Sequence, residues 1–252
     1  MGKKYFALSY DDGLEQDKVL IKLLKKYGLK CTFNLNAGLL GKCGSIGRIG
    51  EYGVITSKKA SKKNGFICKY VPFNRIPEDE IGEVYKDFEV ASHAYKHERI
   101  TNLNDERLQY AISEDVKMLS EIVGYQVKGF AYPFGSENDS VAHVLKSNGI
   151  CYGRGVISSG NFQLPKDPMH MQPTCWHGQK NVFDLLNYFF EMDVDEDLIF
   201  VMWGHAYEFD YGTKLNSWER IERILSLVSE QEDIVSCTMI EAVSKICHRK
   251  LT

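Results

Sequence analysis

Hydrophobic residues recur along the chain in two alternating patterns, a short apolar run and a longer stretch with helical spacing. The first apolar run, residues 5–10, is typical of a buried strand, and residues 17–27 repeat apolar side chains at helical spacing until Gly28. The same order returns along the chain. It predicts further strands at residues 31–36, 89–93, 129–133, 151–155, 169–175, 198–204 and 234–238, and further helices at residues 77–88, 104–123, 140–148, 182–192 and 217–231, followed by a terminal helix.

The alternation of strands and helices predicts an α/β fold, either a barrel of seven or eight β/α units or a large open doubly wound sheet. Polar residues favour the barrel, because they gather where the predicted strands end, among them Asp11, His93, Arg154 and His205. Barrel enzymes have their active sites at that face. No repeat or linker divides the chain, so one domain is expected over residues 1–252.

The periodic pattern is lost at about residues 37–76, which are rich in glycine and contain a cationic run. We interpret this stretch as a loop-rich insertion with room for one hairpin. Its lysines form either a solvated loop or a guide for an anionic glycan; they are Lys58, Lys59, Lys62 and Lys63.

Composition and charge exclude several classes of protein. A net charge of −3 and a pI near 6.2 do not suit a nucleic-acid protein or a general binder of membrane surfaces. The seven cysteines form an odd set without a CxxC pair, so reduced thiols are expected rather than a disulfide framework. The sequence shows no signal region and no transmembrane segment, which predicts a cytoplasmic protein unless a leader has been removed. Nothing in it bears on the oligomeric state.

Two short stretches carry candidate chemistry. Asp11 and Asp12 follow the first predicted strand, where one can bind a metal and the other handle a proton, although they also suit a polar turn. His93 and His97 have the i,i+4 spacing that places two side chains on one face of a helical turn, where they could share a cation or be surface histidines. With Asp12 they form a two-histidine, one-carboxylate set, typical of a catalytic metal. Zinc suits these ligands, and cobalt, nickel or manganese are alternatives.

Four motifs in order resemble those of the polysaccharide deacetylases, the NodB-homology or carbohydrate esterase family 4. Residues 9–13, S-Y-D-D-G, resemble the family's T-F-D-D-G, and residues 93–97, H-A-Y-K-H, resemble its H-S/T-x-x-H. Residues 131–135, A-Y-P-F-G, resemble R-x-P-Y-G, and residues 204–205, G-H, resemble the last motif. The chain is therefore identified as a divergent member, with a distorted, NodB-like (β/α) barrel.

The resemblance implies an enzyme that removes acetyl groups from an N-acetylated sugar or glycan with the help of one divalent metal ion. It implies Asp11 as general base and His205 as general acid. The metal ligands would be Asp12, His93 and His97, and the wall of the substrate groove would contain Tyr132, Pro133 and Phe134, with a backbone N–H near Phe134 for the oxyanion.

The departures from the family pattern concern how the catalytic groups are held. Ala131 stands where the family has an arginine that orients the catalytic aspartate, and we hypothesise that Arg154 takes its place from the next strand. Trp176 either takes the place of the family's tryptophan or is an aromatic plug in the barrel wall. Glu208 could orient His205, contact substrate or be solvated.

Two alternative functions remain open at this point. A related hydrolase of cyclic amides or other C–N bonds in a small substrate would keep the base and the metal ligands. A catalytically silent carbohydrate-binding barrel is suggested by the missing arginine at Ala131.

Overall fold

A curled sheet of parallel strands with helices packed around it forms the centre of the computed structural model, which describes residues 2–48, 54–55 and 69–249. The strands are β1 (Lys4–Asp11), β2 (Thr32–Leu35), β3 (Ser45–Arg48), β4 (Val54–Ile55), β5 (Lys69–Pro72), β6 (Glu89–Ser92), β7 (Gly129–Ala131), β8 (Tyr152–Arg154), β9 (Cys175–Trp176), β10 (Leu198–Gly204) and β11 (Ile234–Cys237). The order in the main sheet is β8-β7-β6-β2-β1-β10-β9, and β11 also pairs with β1.

The strand β1 is central because it pairs along both of its edges. One edge pairs with β10 over its length, whereas the other is shared, with β11 beside its first half and β2 beside its last residues. All eight residues of β1 are buried, as expected of a parallel strand covered on both faces. Asp11 and Asp12 at its carboxyl end are therefore held by the best supported strand of the sheet.

The barrel is closed by an irregular segment, and this accounts for its distortion. Met171 forms a parallel bridge with Arg154 at the end of β8, while β9, a few residues later, pairs with β10. The prediction of a continuous strand over residues 169–175 is wrong. A 3₁₀ turn occupies Pro168–His170 and Pro173, which has no N–H to donate, interrupts the ladder.

Helices follow most of the strands, as the periodicity predicts. They are α1 (Asp17–Tyr27), α2 (Glu78–Val84), α3 (Asp105–Val123), α4 (Asp139–Ser147), α5 (Val182–Glu191), α6 (Trp218–Ser229) and α7 (Met239–Arg249). Asn104 caps α3 by accepting from the Arg107 N–H, and Gly28 ends α1 with a φ of 64°. The helix expected at residues 77–88 is shorter than predicted. None of the helices in the described ranges has both the length and the hydrophobicity to cross a lipid bilayer.

The insertion contributes a small antiparallel sheet of its own, in the order β4-β3-β5. This is one strand more than the single hairpin expected from the sequence. An apolar cluster of Leu14, Val71, Tyr207 and Tyr211 fixes it to the mouth of the barrel. The cationic run at residues 58–63 lies outside the described residues.

A buried carboxyl group at the start of α1 makes stability depend on pH. Asp17 is fully buried and accepts a hydrogen bond of 2.7 Å from the Tyr85 hydroxyl. Burial raises its pKa from 3.8 to about 8. The folded state therefore binds more protons than the unfolded state between about pH 4 and pH 8, and this group lowers stability as pH rises through that window.

We predict that Asp17→Asn gains stability over the wild type as pH rises from 4 to 8, by at most about 1.4 kcal/mol for each pH unit. Urea unfolding at several pH values measures this difference. Asp79→Asn, an exposed residue of α2, is the matched control and should follow the wild type. Parallel curves for Asp17→Asn and wild type would contradict the prediction.

Candidate metal centre and active site

A cavity of about 670 Å³ opens at the carboxyl ends of the barrel strands. This is the face that the sequence predicts for an active site. Among the residues predicted from the sequence, the cavity is lined by Asp11, Asp12, His93, His97, Tyr132, Phe134 and His205. Four further predicted residues lie in the described part of the chain but do not line the cavity: Pro133, Arg154, Trp176 and Glu208.

Three of the lining residues form a candidate metal centre. Asp12, His93 and His97 each offer one ligand atom, and the three atoms lie within 4.8 Å of one another. Asp12 Oδ1 is 3.9 Å from His97 Nε2, and the centroids of the two imidazole rings are 4.7 Å apart. Two imidazoles and one carboxylate beside an open cavity are the ligand set of a catalytic metal.

The two histidines are brought together by a loop and not by the helical turn that their spacing suggested. That expectation is wrong because Ala94 and His97 adopt left-handed backbone conformations, with φ of 58° and 53°. Asn36, just after β2, supports the loop by donating from its side-chain amide to the carbonyl oxygens of His93 and Ala94. A polar side chain from a neighbouring strand thus shapes the ligand loop.

The protonation states of the three residues fit a divalent cation. His93 Nδ1 donates to the Ala131 carbonyl at 2.7 Å, which leaves the lone pair on Nε2. Burial lowers the pKa of His93 to about 4 and also lowers that of His97. Burial alone would raise the pKa of Asp12, but the charge of Arg75, and after it that of His205, outweighs burial and lowers the pKa to about 2. Neutral imidazoles and an ionised carboxylate are the forms that bind metal.

Arg75 is a site residue that no sequence pattern selected. It follows β5 of the insertion, and its Nη2 lies 3.1 Å from Asp12 Oδ1. Its Nη1 donates to the Asp12 carbonyl and, at 2.8 Å, to Asn36 Oδ1. Arg75 therefore fixes the backbone of Asp12, which has a φ of 85°, and leaves Asp12 Oδ2 4.0 Å from His205 Nε2.

Arg154 makes the contact that the missing family arginine would be expected to make. It is fully buried; its Nη2 donates to Asp11 Oδ1, and its Nε donates to Ser9 Oγ at 3.2 Å. Asn34 donates to the same Asp11 oxygen at 2.8 Å. Asp11 Oδ2 is left 4.0 Å from His93 Nε2 and faces the candidate metal centre.

His205 is held by a shared carboxylate beneath the cavity. Its Nδ1 lies 3.3 Å from Glu208 Oε2, and Trp176 Nε1 donates to the same oxygen at 2.8 Å. His177 Nε2 is 3.2 Å from it as well. Burial would lower the pKa of His205, but the hydrogen bond and the charge of Glu208 raise it to about 9. Glu208 and Trp176 thus act on the cavity through His205.

The predicted groove wall has one exposed member. Phe134 is 52% exposed, and its ring centroid lies 4.5 Å from that of His97. Tyr132 is buried and its hydroxyl donates to the Met169 carbonyl at 2.8 Å. Pro133 is buried too and begins the 3₁₀ turn that presents Phe134. The wall also includes Trp203 and Tyr207.

Backbone strain is concentrated at this site. In the described part of the chain, the non-glycine residues with positive φ are Asp12, Ala94, His97 and Phe134. Each such conformation costs about 1–3 kcal/mol and persists only where the surrounding structure enforces it. Two of the four offer a metal ligand atom, one lies within the ligand loop, and one lines the cavity beside it.

Several solved structures share this fold. A protein from Mycobacterium smegmatis that is assigned as a polysaccharide deacetylase has a TM-score of 0.62 and 14% identity, over 100% of this chain and 93% of that one. A family 4 carbohydrate esterase from Streptomyces lividans, in complex with acetate, has a TM-score of 0.53 and 16% identity, over 92% of this chain and 91% of that one.

A family 4 pseudoenzyme from Bacillus anthracis also matches, with a TM-score of 0.54 and 16% identity, over 96% of this chain and 66% of that one. The chain spans 44% of the length of a polysaccharide deacetylase from Bacillus cereus that it matches as well. At these identities the likeness shows the fold, a NodB-like distorted (β/α) barrel.

The comparison with curated proteins gives no match. The sequence model described as polysaccharide deacetylase matches residues 1–153, which is more than half of the chain. The ordered motifs at residues 9–13, 93–97 and 131–135 all fall within that range. The chain therefore belongs to the polysaccharide deacetylase family.

Proposed function

We propose that this chain is a metal-dependent deacetylase that acts on an N-acetylated sugar or glycan. One observation carries the proposal. A single cavity brings together the ligand set of Asp12, His93 and His97, whose ligand atoms lie within 4.8 Å of one another, and two further groups suited to proton transfer, Asp11 and His205. Membership of the polysaccharide deacetylase family supports the same reaction class.

The roles of the carboxylates follow from their partners. A divalent metal, for which zinc suits the ligands best, would supply an acidified water and a Lewis acid for the acetyl carbonyl. Asp12, His93 and His97 would hold it. Asp11 Oδ1 is occupied by Arg154 and Asn34, so Asp11 Oδ2 is the atom that accepts the proton from the attacking water.

His205 would deliver a proton to the nitrogen of the departing amine. Glu208 keeps its imidazole in the protonated form at neutral pH, which a general acid requires. The backbone N–H of Phe134 would stabilise the negative oxygen of the tetrahedral intermediate. The rings of Phe134, Trp203 and Tyr207 line the cavity and offer faces on which a sugar can stack.

The alanine at position 131 is the reason for considering a catalytically silent barrel. The contact of Arg154 with Asp11 removes that reason, since the base has an arginine beside it. A hydrolase of other C–N bonds would use the same groups, and the experiment below distinguishes it.

We predict that the purified wild type holds about one divalent metal ion per chain and releases acetate from chitooligosaccharides. His93→Ala loses a ligand and should lose both the metal and the acetate release. Elemental analysis and an acetate assay on the same samples measure the two quantities. His143→Ala removes an exposed histidine of α4 and should change neither.

Metal without acetate release would redirect the proposal to other C–N substrates. If the protein takes up no zinc, cobalt, nickel or manganese when these are supplied, the proposal is wrong and a carbohydrate-binding barrel becomes the better interpretation.

We predict that Arg154→Met abolishes acetate release and lowers the free energy of unfolding by about 3–5 kcal/mol, because it leaves the buried Asp11 carboxylate without its cation. In an Asp11→Asn background the same change should cost clearly less stability, since no charge remains to be paired. Urea unfolding of the four proteins gives this coupling. Arg107→Met, on the exposed side of α3, serves as control. Equal losses of stability in both backgrounds would show that Arg154 does not act through Asp11.

A further inference from the structure

The charges that line the cavity are not balanced. Its two carboxylates are each paired with a buried arginine, as described above. Lys96 and Arg99 also line it, and both side chains are exposed. Within residues 2–48, 54–55 and 69–249 neither of them forms a salt bridge, and Glu98 between them is paired with Arg107 at 2.8 Å. Among the described residues, the side of the cavity next to the ligand loop therefore carries more positive than negative charge.

Arg99 is held in place by the same ring that lies against a candidate metal ligand. Its guanidinium carbon is 4.9 Å from the centroid of Phe134, and that ring is 4.5 Å from the His97 ring. A guanidinium stacked on an aromatic face keeps the N–H groups in its plane available. These groups form a fork that suits two oxygens of one anionic group.

Two positive side chains beside a metal site disfavour metal binding, and a negative group bound between them offsets this effect. Lys96 directly precedes the ligand His97, and Arg99 follows it by two positions. Their charges repel a divalent cation and so weaken its binding. A negatively charged group on the substrate would offset this repulsion and would be attracted by both side chains.

We propose that the cavity takes an acetylated sugar that carries an anionic group, a carboxylate or a sulfate, and that Lys96 and Arg99 bind this group. The inference rests on the proposed deacetylase function and adds to it the charge of the substrate. The aromatic faces of Trp203 and Tyr207 in the same lining bind the sugar rings.

The test compares three ligands with the metal-loaded protein: a chitooligosaccharide, the same oligomer oxidised to the C6 carboxylate, and the same oligomer sulfated at O6. Isothermal titration calorimetry should give a Kd that is roughly tenfold or more lower for at least one charged oligomer than for the neutral one. The difference should shrink as salt is added. The charged oligomer with the lower Kd identifies the anionic group that the cavity prefers.

Variants assign the effect to the two side chains. Arg99→Gln and Lys96→Gln, assayed with saturating metal, should each reduce the preference for the charged oligomer, raising its KM in acetate release relative to the KM of the neutral oligomer. Arg223→Gln is the matched control, because its guanidinium carbon lies 5.0 Å from the Phe183 ring and it does not belong to the cavity lining. It should behave as wild type.

The other outcomes separate the proposal of an anionic substrate from the proposal of a deacetylase. Equal affinity for neutral and charged oligomers, with acetate released from both, overturns the anionic substrate and leaves the deacetylase intact. Tight binding of a charged oligomer without acetate release supports the anion site and overturns the deacetylase. A preference that persists in Arg99→Gln and Lys96→Gln, or no binding of any oligomer, overturns the inference.

Discussion

Two neighbouring carboxylates lie buried side by side, and the arrangement of the site follows from the need to pair each of them with a cation. Asp11 and Asp12 are only 2% and 4% exposed. A buried charge without a partner costs several kcal/mol, so each needs its own cation. Arg154 arrives from β8 and Arg75 from the insertion, each beside one oxygen. The second oxygen of each carboxylate then faces a histidine across the cavity.

His93 and His205 differ in the group that faces Nδ1 of the imidazole ring, and this difference sets the charge of each ring. His93 donates from Nδ1 to a neutral carbonyl, so burial dominates and the ring stays neutral. His205 faces the carboxylate of Glu208 through the same atom, and the negative charge keeps the ring protonated. A neutral ring suits a metal ligand and a protonated one suits a proton donor. One residue type thus supplies both properties within a single cavity.

Much of this arrangement is predictable from the sequence, because parallel strands end at one face and their polar residues must meet there. Asp11, His93, Arg154 and His205 are all predicted at this face, because each of them ends or follows a strand. The rest depends on tertiary contacts. The loop after His93 takes its shape from Asn36. Arg75 reaches the site because the insertion packs on the mouth of the barrel. Local sequence patterns do not predict this packing.

The pairing of β1 with strands far along the sequence affects how the chain folds. β1 is synthesised well before its partners β10 and β11, and the backbone N–H of Lys3 donates to Asp197 Oδ1 across 194 residues. Such a high contact order makes folding slow. During synthesis the edge of β1 that faces β10 stays unpaired until the polypeptide has been made as far as residue 204. An unpaired strand edge can pair with another chain, so this topology carries a risk of aggregation during synthesis.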